Sequence, residues 1–264
     1  MSARLRRLLR PLYPVLRPIW HRVQPILAGE TPRSLPVVIE RWRARRRDSL
    51  RRMRNIPDPP IRPLRNYELI DLGVAEPYYR PRRGYMNAAG LVASDLIERK
   101  ELRTALELGP HLRSLIVGAD VMDVVRNERL RAEGRQVVHD ATKAPWPFPD
   151  KAYDLFVALQ VFEHLGTRQP EAFLEVRRVA RNAILSLPID WVMADPRNCH
   201  HLVTEERVLG WFAPVVPTKV VVGNPGHRKR LIYVFEDLPA PDGEPAAADA
   251  ADPAPVSEPA ATSA

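Results

Sequence analysis

The chain has 264 residues, 45% of them hydrophobic, which is enough for a sizeable core in one large domain or two small ones. Its formal net charge of +8 is unevenly spread: residues 1–65 carry 17 arginines against 4 acids, residues 66–238 carry 23 bases and 23 acids, and residues 239–264 carry 5 acids and no base. A neutral body argues against a groove-binding nucleic-acid enzyme, and a single cysteine, Cys199, excludes an intramolecular disulfide and a thiolate-rich metal site and suits a reducing cytosol.

In chain order, Leu5, Leu8, Leu9, Leu12, Leu16, Ile19, Trp20, Val23 and Leu27 recur at helical spacing with arginines on the other face. Pro11, Pro14, Pro18 and Pro25 break that helix, and Arg17, His21 and Arg22 interrupt any apolar run, so neither a signal peptide nor a membrane span is expected. Val37–Arg54 is a second basic segment, with Trp42, Leu50 and Met53 among eight arginines. It reads as a solvated helix, as an arm touching an anionic membrane surface or RNA, or as a segment packed on the body. Pro57, Pro59, Pro60 and Pro63 then form a stiff connector. The expected organisation is a basic arm over 1–65, a folded domain over 66–238 and a disordered Ala/Pro/acidic tail over 239–264.

The body alternates strand and helix. Strands are expected at Thr104–Leu108, Asp120–Val125, Gln136–His139 and Asp154–Leu159, the last a continuous apolar run suited to burial on both faces. A helix follows over Pro170–Arg181, with Asn182 as a left-handed cap before a strand at Ala183–Leu187. Thr204 caps a helix through about Phe212, and Lys219–Val222 and Leu231–Glu236 flank Gly223-Asn224-Pro225-Gly226 as an antiparallel pair. This order predicts an α/β fold with a doubly wound, mostly parallel sheet, whose ligand site lies beyond the carboxyl ends of the strands. Glu107 and Gly109, Asp123, Asp140 and Gln160 stand at four of those ends.

The strand Ala105-Leu106-Glu107-Leu108-Gly109-Pro110 and the segment His139–Leu165 resemble the class I S-adenosylmethionine-dependent methyltransferases of the type 11 group, over about residues 85–237. The resemblance implies a seven-stranded, Rossmann-like sheet and a methyl transfer from S-adenosyl-L-methionine to a small-molecule, sugar or lipid-linked glycan acceptor. It implies that Gly109 and Pro110 approach the methionine part of the cofactor and that Glu107 meets its amino group, directly or through water. Asp123 would take the ribose hydroxyls, Asp140 and the backbone of Ala141 the adenine, and Gln160 the methionine end. His164, on the acceptor side, is the candidate for removing a proton from the acceptor, a task its ordinary pKa suits; Glu163 and His164 orienting the loop is the other reading.

The glycine-rich loop of that family is replaced here by Gly109-Pro110-His111-Leu112-Arg113, and 13 residues separate Gly109 from Asp123, room for at most a turn or two of helix. Short loops beginning Glu-Leu-Gly-Pro are similar to methyltransferase domains found beside polysaccharide-building enzymes. The alternative is a non-catalytic scaffold of the same fold whose basic arm docks to membrane or RNA. His200 and His201 are expected near the substrate mouth, and no metal site is expected, since no i,i+4 histidine pair or partner carboxylate accompanies them. Tyr67, Tyr78, Tyr79 and Tyr85 read as an aromatic lid or as packing against the sheet.

Overall fold

The computed structural model describes residues 60–224 and 228–241. The basic arm up to residue 59, residues 225–227 and the tail from residue 242 lie outside the described residues, and with them the expectations for a membrane- or RNA-touching arm and a disordered tail. The described chain falls into two compact units, Leu64–Arg83 and Pro60–Pro63 together with Gly84 onward.

The first unit holds α1 (Asn66–Ala75) and a 3-10 turn over Pro77–Arg82. Glu68 accepts the Arg65 backbone N–H at 2.8 Å, which closes the start of α1. Within the turn Tyr78 and Tyr79 meet edge-on at 5.2 Å, and the Arg82 guanidinium covers Tyr78 at 3.6 Å. These contacts occupy two of the four tyrosines that read as a lid.

The second unit contains β1 (Arg62–Pro63), α2 (Arg83–Lys100), β2 (Ala105–Leu108), β3 (Ile116–Val117), β4 (Asp120–Asp123), β5 (Gln136–Val138), β6 (Tyr153–Leu159), α3 (Gln169–Val179), β7 (Ala180–Pro188), α4 (Glu205–Phe212), β8 (Lys219–Asn224) and β9 (Arg230–Phe235). Seven strands form one sheet in the order β5-β4-β2-β6-β7-β9-β8. The pairings from β5 to β7 are parallel, and β9 runs antiparallel to both β7 and β8. This is the mixed, mostly parallel α/β sheet that the alternating pattern predicts.

β6 reads as an unbroken apolar run because both of its faces are covered. Phe156 and Ala158 belong to the core that α3 and α4 close with Phe173, Val176, Val208 and Phe212, where the rings of Phe173 and Phe212 lie 4.8 Å apart. Leu155 and Val157 are buried on the other side of the strand. α2 reaches the sheet at β8, where a Cβ on Gly223 would sit 3.1 Å from the Cβ of Tyr85 and 3.0 Å from Ile232. The Thr204 cap forms as expected, its side chain accepting the Arg207 N–H at 3.2 Å.

Two local expectations are corrected. Asn182 does not cap α3: Ala180 is already extended, with φ −127° and ψ 155°, and β7 begins there. Asn182 is buried inside the strand, donating to the Asp154 carbonyl at 2.8 Å and accepting from the Asp237 N–H at 3.2 Å, so its amide links β6 to the chain that leaves β9. The strand at Asp120 stops at Asp123, and Val124 and Val125, which look like its continuation, are 61% and 62% exposed.

The short crossover from β2 to β4 contains no helix. β3 pairs antiparallel with β1, matching Arg62 to Val117 and Pro63 to Ile116, so part of the Pro-rich connector supplies the partner strand. The turn after β3 needs Gly118, which has φ +84° and where a Cβ would lie 2.2 Å from the Pro60 carbonyl oxygen.

Candidate functional site

The chain leaves β2 for β4 and β5 on one side and returns to β6 on the other. A strand order that reverses at β2 and β6 opens a crevice beyond their carboxyl ends. Gly109 follows β2, Asp123 ends β4, Asp140 lies just past β5 and Gln160 follows β6. The four residues therefore share one edge of four neighbouring strands.

Gly109 has φ +61° and donates its N–H to the Met122 carbonyl at 2.9 Å, turning the chain at the floor of the crevice. A Cβ there would sit 3.1 and 3.3 Å from the methyls of Val161, so glycine keeps the gap between the β2 and β6 ends open. Pro110 behind it is buried. Asp123 is held by its main chain, its carbonyl accepting from His139 at 2.9 Å, while Oδ1 accepts from the Val124 N–H at 2.7 Å. Asp140 Oδ1 accepts from the Thr142 hydroxyl at 2.7 Å and its N–H at 3.0 Å. Those two bonds, with Lys143 3.7 Å from Oδ2, hold the carboxyl below its ordinary value. Ala141 is buried and its carbonyl accepts the Trp146 indole N–H at 3.1 Å, which fixes the peptide next to Asp140.

Gln160 carries φ +60°, a left-handed conformation that costs a non-glycine residue about 1–3 kcal/mol and that clusters at functional sites. Its N–H donates to the Ser186 carbonyl at 2.8 Å, its Nε2 to the Ser186 hydroxyl at 3.2 Å, and its Oε1 accepts from Arg230 Nε at 2.9 Å. Ser186 in β7 and Arg230 in β9 thus fix the side chain from the two strands beyond β6.

Glu107 stands apart from these four. It lies inside β2, 3% exposed, where the Ser114 hydroxyl and the Ile116 N–H (3.1 Å) donate to one carboxylate oxygen and the Leu115 N–H (3.0 Å) to the other. Burial pushes its pKa up, and the bonds from Leu115, Ser114 and Ile116 only partly oppose that. Both oxygens already accept from the shortened loop, so the carboxylate gathers that loop beneath the crevice.

On the other side of β6 the 3-10 turn Phe162–His164 meets the loop 189–203 that follows β7. The Arg230 guanidinium lies between the rings of Tyr85 and Trp191, 4.6 Å from each centroid, and Trp191 anchors the loop by donating to the Lys229 carbonyl at 2.7 Å. His200 stacks on Trp191, with centroids 5.6 Å apart, and its Nδ1 is 2.9 Å from Asn198 Oδ1. Cys199 Sγ sits 3.2 Å from His164 Nδ1 and 3.4 Å from His200 Nδ1. Glu163 completes the group: its side chain is wholly buried, neither oxygen has a hydrogen-bond partner, and Oε1 lies 3.6 Å from His200 Nε2. Burial pushes the Glu163 carboxyl up to about 8, raises the Cys199 thiol and lowers the His164 imidazole.

The expectation that no carboxylate accompanies these histidines is therefore corrected. Glu163 and His164 are 35 to 37 positions from Cys199 and His200 in the chain, a separation at which no spacing motif operates, and two adjacent parallel strands bring them together. His201 turns away, its Nδ1 accepting from the Met193 N–H at 3.0 Å. Tyr85, one of the expected lid tyrosines, faces Arg230 instead.

A seven-stranded sheet of this order, reversed only at β9, with a crevice at β2 and β6, is the fold of a class I methyltransferase. Residues 102–183 match the family model described as "Methyltransferase domain", of the type 11 group, so the chain carries that domain, which implies S-adenosylmethionine-dependent methyltransferase activity. Among solved structures it is similar to the N-methyltransferase NodS from Bradyrhizobium japonicum WM9, in complex with S-adenosyl-L-homocysteine, at 17% identity over 61% of this chain and 88% of that one, with a TM-score of 0.43. It is also similar to a SAM-dependent methyltransferase from Aquifex aeolicus, at 13% identity over 65% and 98% of the two chains, with a TM-score of 0.43. No match is found among curated proteins. Among the described residues, no helix is long and apolar enough to cross a membrane.

Proposed function

We propose that this methyltransferase acts on a small-molecule, sugar or lipid-linked acceptor, and that Gly109, Pro110, Asp123, Asp140, Ala141 and Gln160 hold S-adenosylmethionine. The observation that carries the reading is the alignment of four strand ends along the crevice. Asp123 takes the ribose hydroxyls, which is the use an acid at the end of the neighbouring strand has in dinucleotide folds. Asp140, kept ionised by Thr142 and Lys143, accepts from the adenine amino group, and the exposed Val124 and Val125, which follow Asp123, offer apolar surface to the ring. Gly109, without a Cβ, admits the methionine end next to Gln160.

The acceptor enters from the β6, β7 and β9 side. Arg230, flanked by two aromatic faces, suits an anionic or polyhydroxylated group, which gains a charge-assisted bond and ring contact together. Transfer breaks the methyl carbon–sulfur bond of the sulfonium, leaving a thioether, and forms a carbon–heteroatom bond on the acceptor, whose proton passes to solvent, so alignment and exclusion of water contribute most. His164 contributes as a positioning residue, its Nδ1 facing Cys199.

Calorimetry with S-adenosylhomocysteine tests the cofactor half, and failure to bind at millimolar ligand would sink it. Cofactor carrying a labelled methyl group, added to extract, tests the acceptor half. Label is expected in the lipid, glycan or small-molecule fractions, and label confined to protein or nucleic acid would refute that acceptor class.

A further inference from the structure

The cluster at the acceptor end has the composition and spacing of a transition-metal site. We infer that Cys199, His164 and His200 bind a zinc ion, with Glu163 as the carboxylate behind His200. The three ligand atoms lie within 4.8 Å of one another. Zinc–sulfur bonds of about 2.3 Å and zinc–nitrogen bonds of about 2.0–2.1 Å, set at a tetrahedral angle, hold sulfur and nitrogen about 3.5 Å apart. The two sulfur–nitrogen separations here are 3.2 and 3.4 Å. A thiol carries one proton and serves one imidazole as donor, whereas a cation satisfies both at once. One thiolate with two imidazoles selects zinc over magnesium or calcium, which prefer oxygen.

Glu163 is the independent observation. A buried carboxyl without a hydrogen bond costs free energy, and this one points at the far nitrogen of a histidine in the cluster. When Nδ1 of His200 is given to a metal, the contact with Asn198 is released and the ring proton stands on Nε2, facing Glu163 at 3.6 Å. That is the arrangement by which a carboxylate fixes the tautomer of a metal-bound imidazole. Zinc replaces the thiol proton, which passes to solvent. The ion joins the turn after β6 to the loop after β7, and its fourth position is left for water or an acceptor heteroatom.

The test is titration of full-length protein, stripped of metal with a chelator, with cobalt(II) and then zinc. One equivalent of cobalt is expected to give a thiolate-to-metal charge-transfer band that zinc abolishes stoichiometrically. Cys199→Ser should lose the band and, by circular dichroism, keep the fold, because the side chain is only partly buried. Glu163→Gln should keep the band with about 10–100-fold weaker affinity. His111→Ala, at an exposed histidine outside both the cluster and the loop that carries it, should match the parent protein. No charge-transfer band from the folded parent protein, or unchanged cobalt affinity in Cys199→Ser, would overturn the site; unchanged affinity in Glu163→Gln would remove the carboxylate from it.

Discussion

Replacing Glu107 by glutamine separates an anchor of the short loop from a cofactor contact. The carboxylate accepts from Ser114, Leu115 and Ile116, and an amide keeps the shape but offers one oxygen in place of two. At least one buried donor loses its acceptor, at a cost of about 1–3 kcal/mol. Urea denaturation should show that loss, while calorimetry on the folded variant should find S-adenosylhomocysteine affinity within about 1 kcal/mol of the parent's. The loss also depends on pH. Glu107 has a raised folded pKa, so its contribution is complete below the ordinary 4.5 and erodes as pH rises toward the folded value, whereas glutamine has no such dependence. The difference between the two proteins should therefore shrink as pH rises above 4.5. Unchanged stability together with a tenfold or greater loss of cofactor affinity would refute the anchoring role and return Glu107 to the cofactor.

Asp123→Ala should weaken S-adenosylhomocysteine by about 1–3 kcal/mol in calorimetry, and an unchanged affinity would remove the ribose assignment. Gly118→Ala forces a Cβ to 2.2 Å from the Pro60 carbonyl at φ +84°, so a fall in melting temperature equivalent to about 2–4 kcal/mol is expected, and a melt like the parent's would contradict the β1–β3 clip. Burial alone would raise the Asp120 carboxyl, but bonds from Arg135 (2.7 Å) and the Tyr153 hydroxyl (2.8 Å) outweigh it and leave the pKa lowered. Asp120→Asn should cost about 1 kcal/mol at neutral pH, a modest figure because Arg135 is largely exposed. A depressed carboxyl contributes above its unfolded pKa and loses that contribution as pH falls through the folded one, so the deficit should vanish in acid; denaturation curves at pH 7 and below pH 3 would show it.

The elements that were legible in the sequence are those whose side chains follow a period. β6 declared itself because, between two parallel neighbours, its run Leu155–Ala158 is buried on both faces, and α4 because Thr204 meets an orphan N–H at its first turn. β1 and β3 could not be read, since two-residue strands carry no period and their pairing depends on a connector 53 or more positions away. Asn182 misled for a different reason. Its amide satisfies backbone groups equally well as a helix cap or inside a strand, and only the tertiary partners Asp154 and Asp237 decide between them. The strand-end residues of the crevice were visible because topology places every parallel strand's exit on one edge; the Glu163, His164, Cys199 and His200 group was not, because it joins two exits across a helix and a strand.

A crossover between parallel strands ordinarily carries a helix, and this chain has none between β2 and β4. Polar groups supply the constraint instead. Glu107 gathers the loop from below, β1 clips it from outside, and Gly118 lets that clip close. The acceptor side follows the same logic: the loop 189–203 has no helix of its own and is held by the Trp191 indole, by the Asp190 N–H on the Val203 carbonyl and by His201 on Met193. Buried polar contacts are stringent, since a donor or acceptor that loses its partner has no water to replace it. Both walls of the crevice therefore stay defined through a few specific bonds, and each wall has one buried carboxyl, Glu107 or Glu163, on which its arrangement turns. For Glu107 all the partners are protein groups; Glu163 has none of its own and faces the histidine of the inferred zinc site, so metal is expected to add order to the Glu163 turn and to Cys199–His200 within a loop already held at Trp191, while the first wall is unchanged by it.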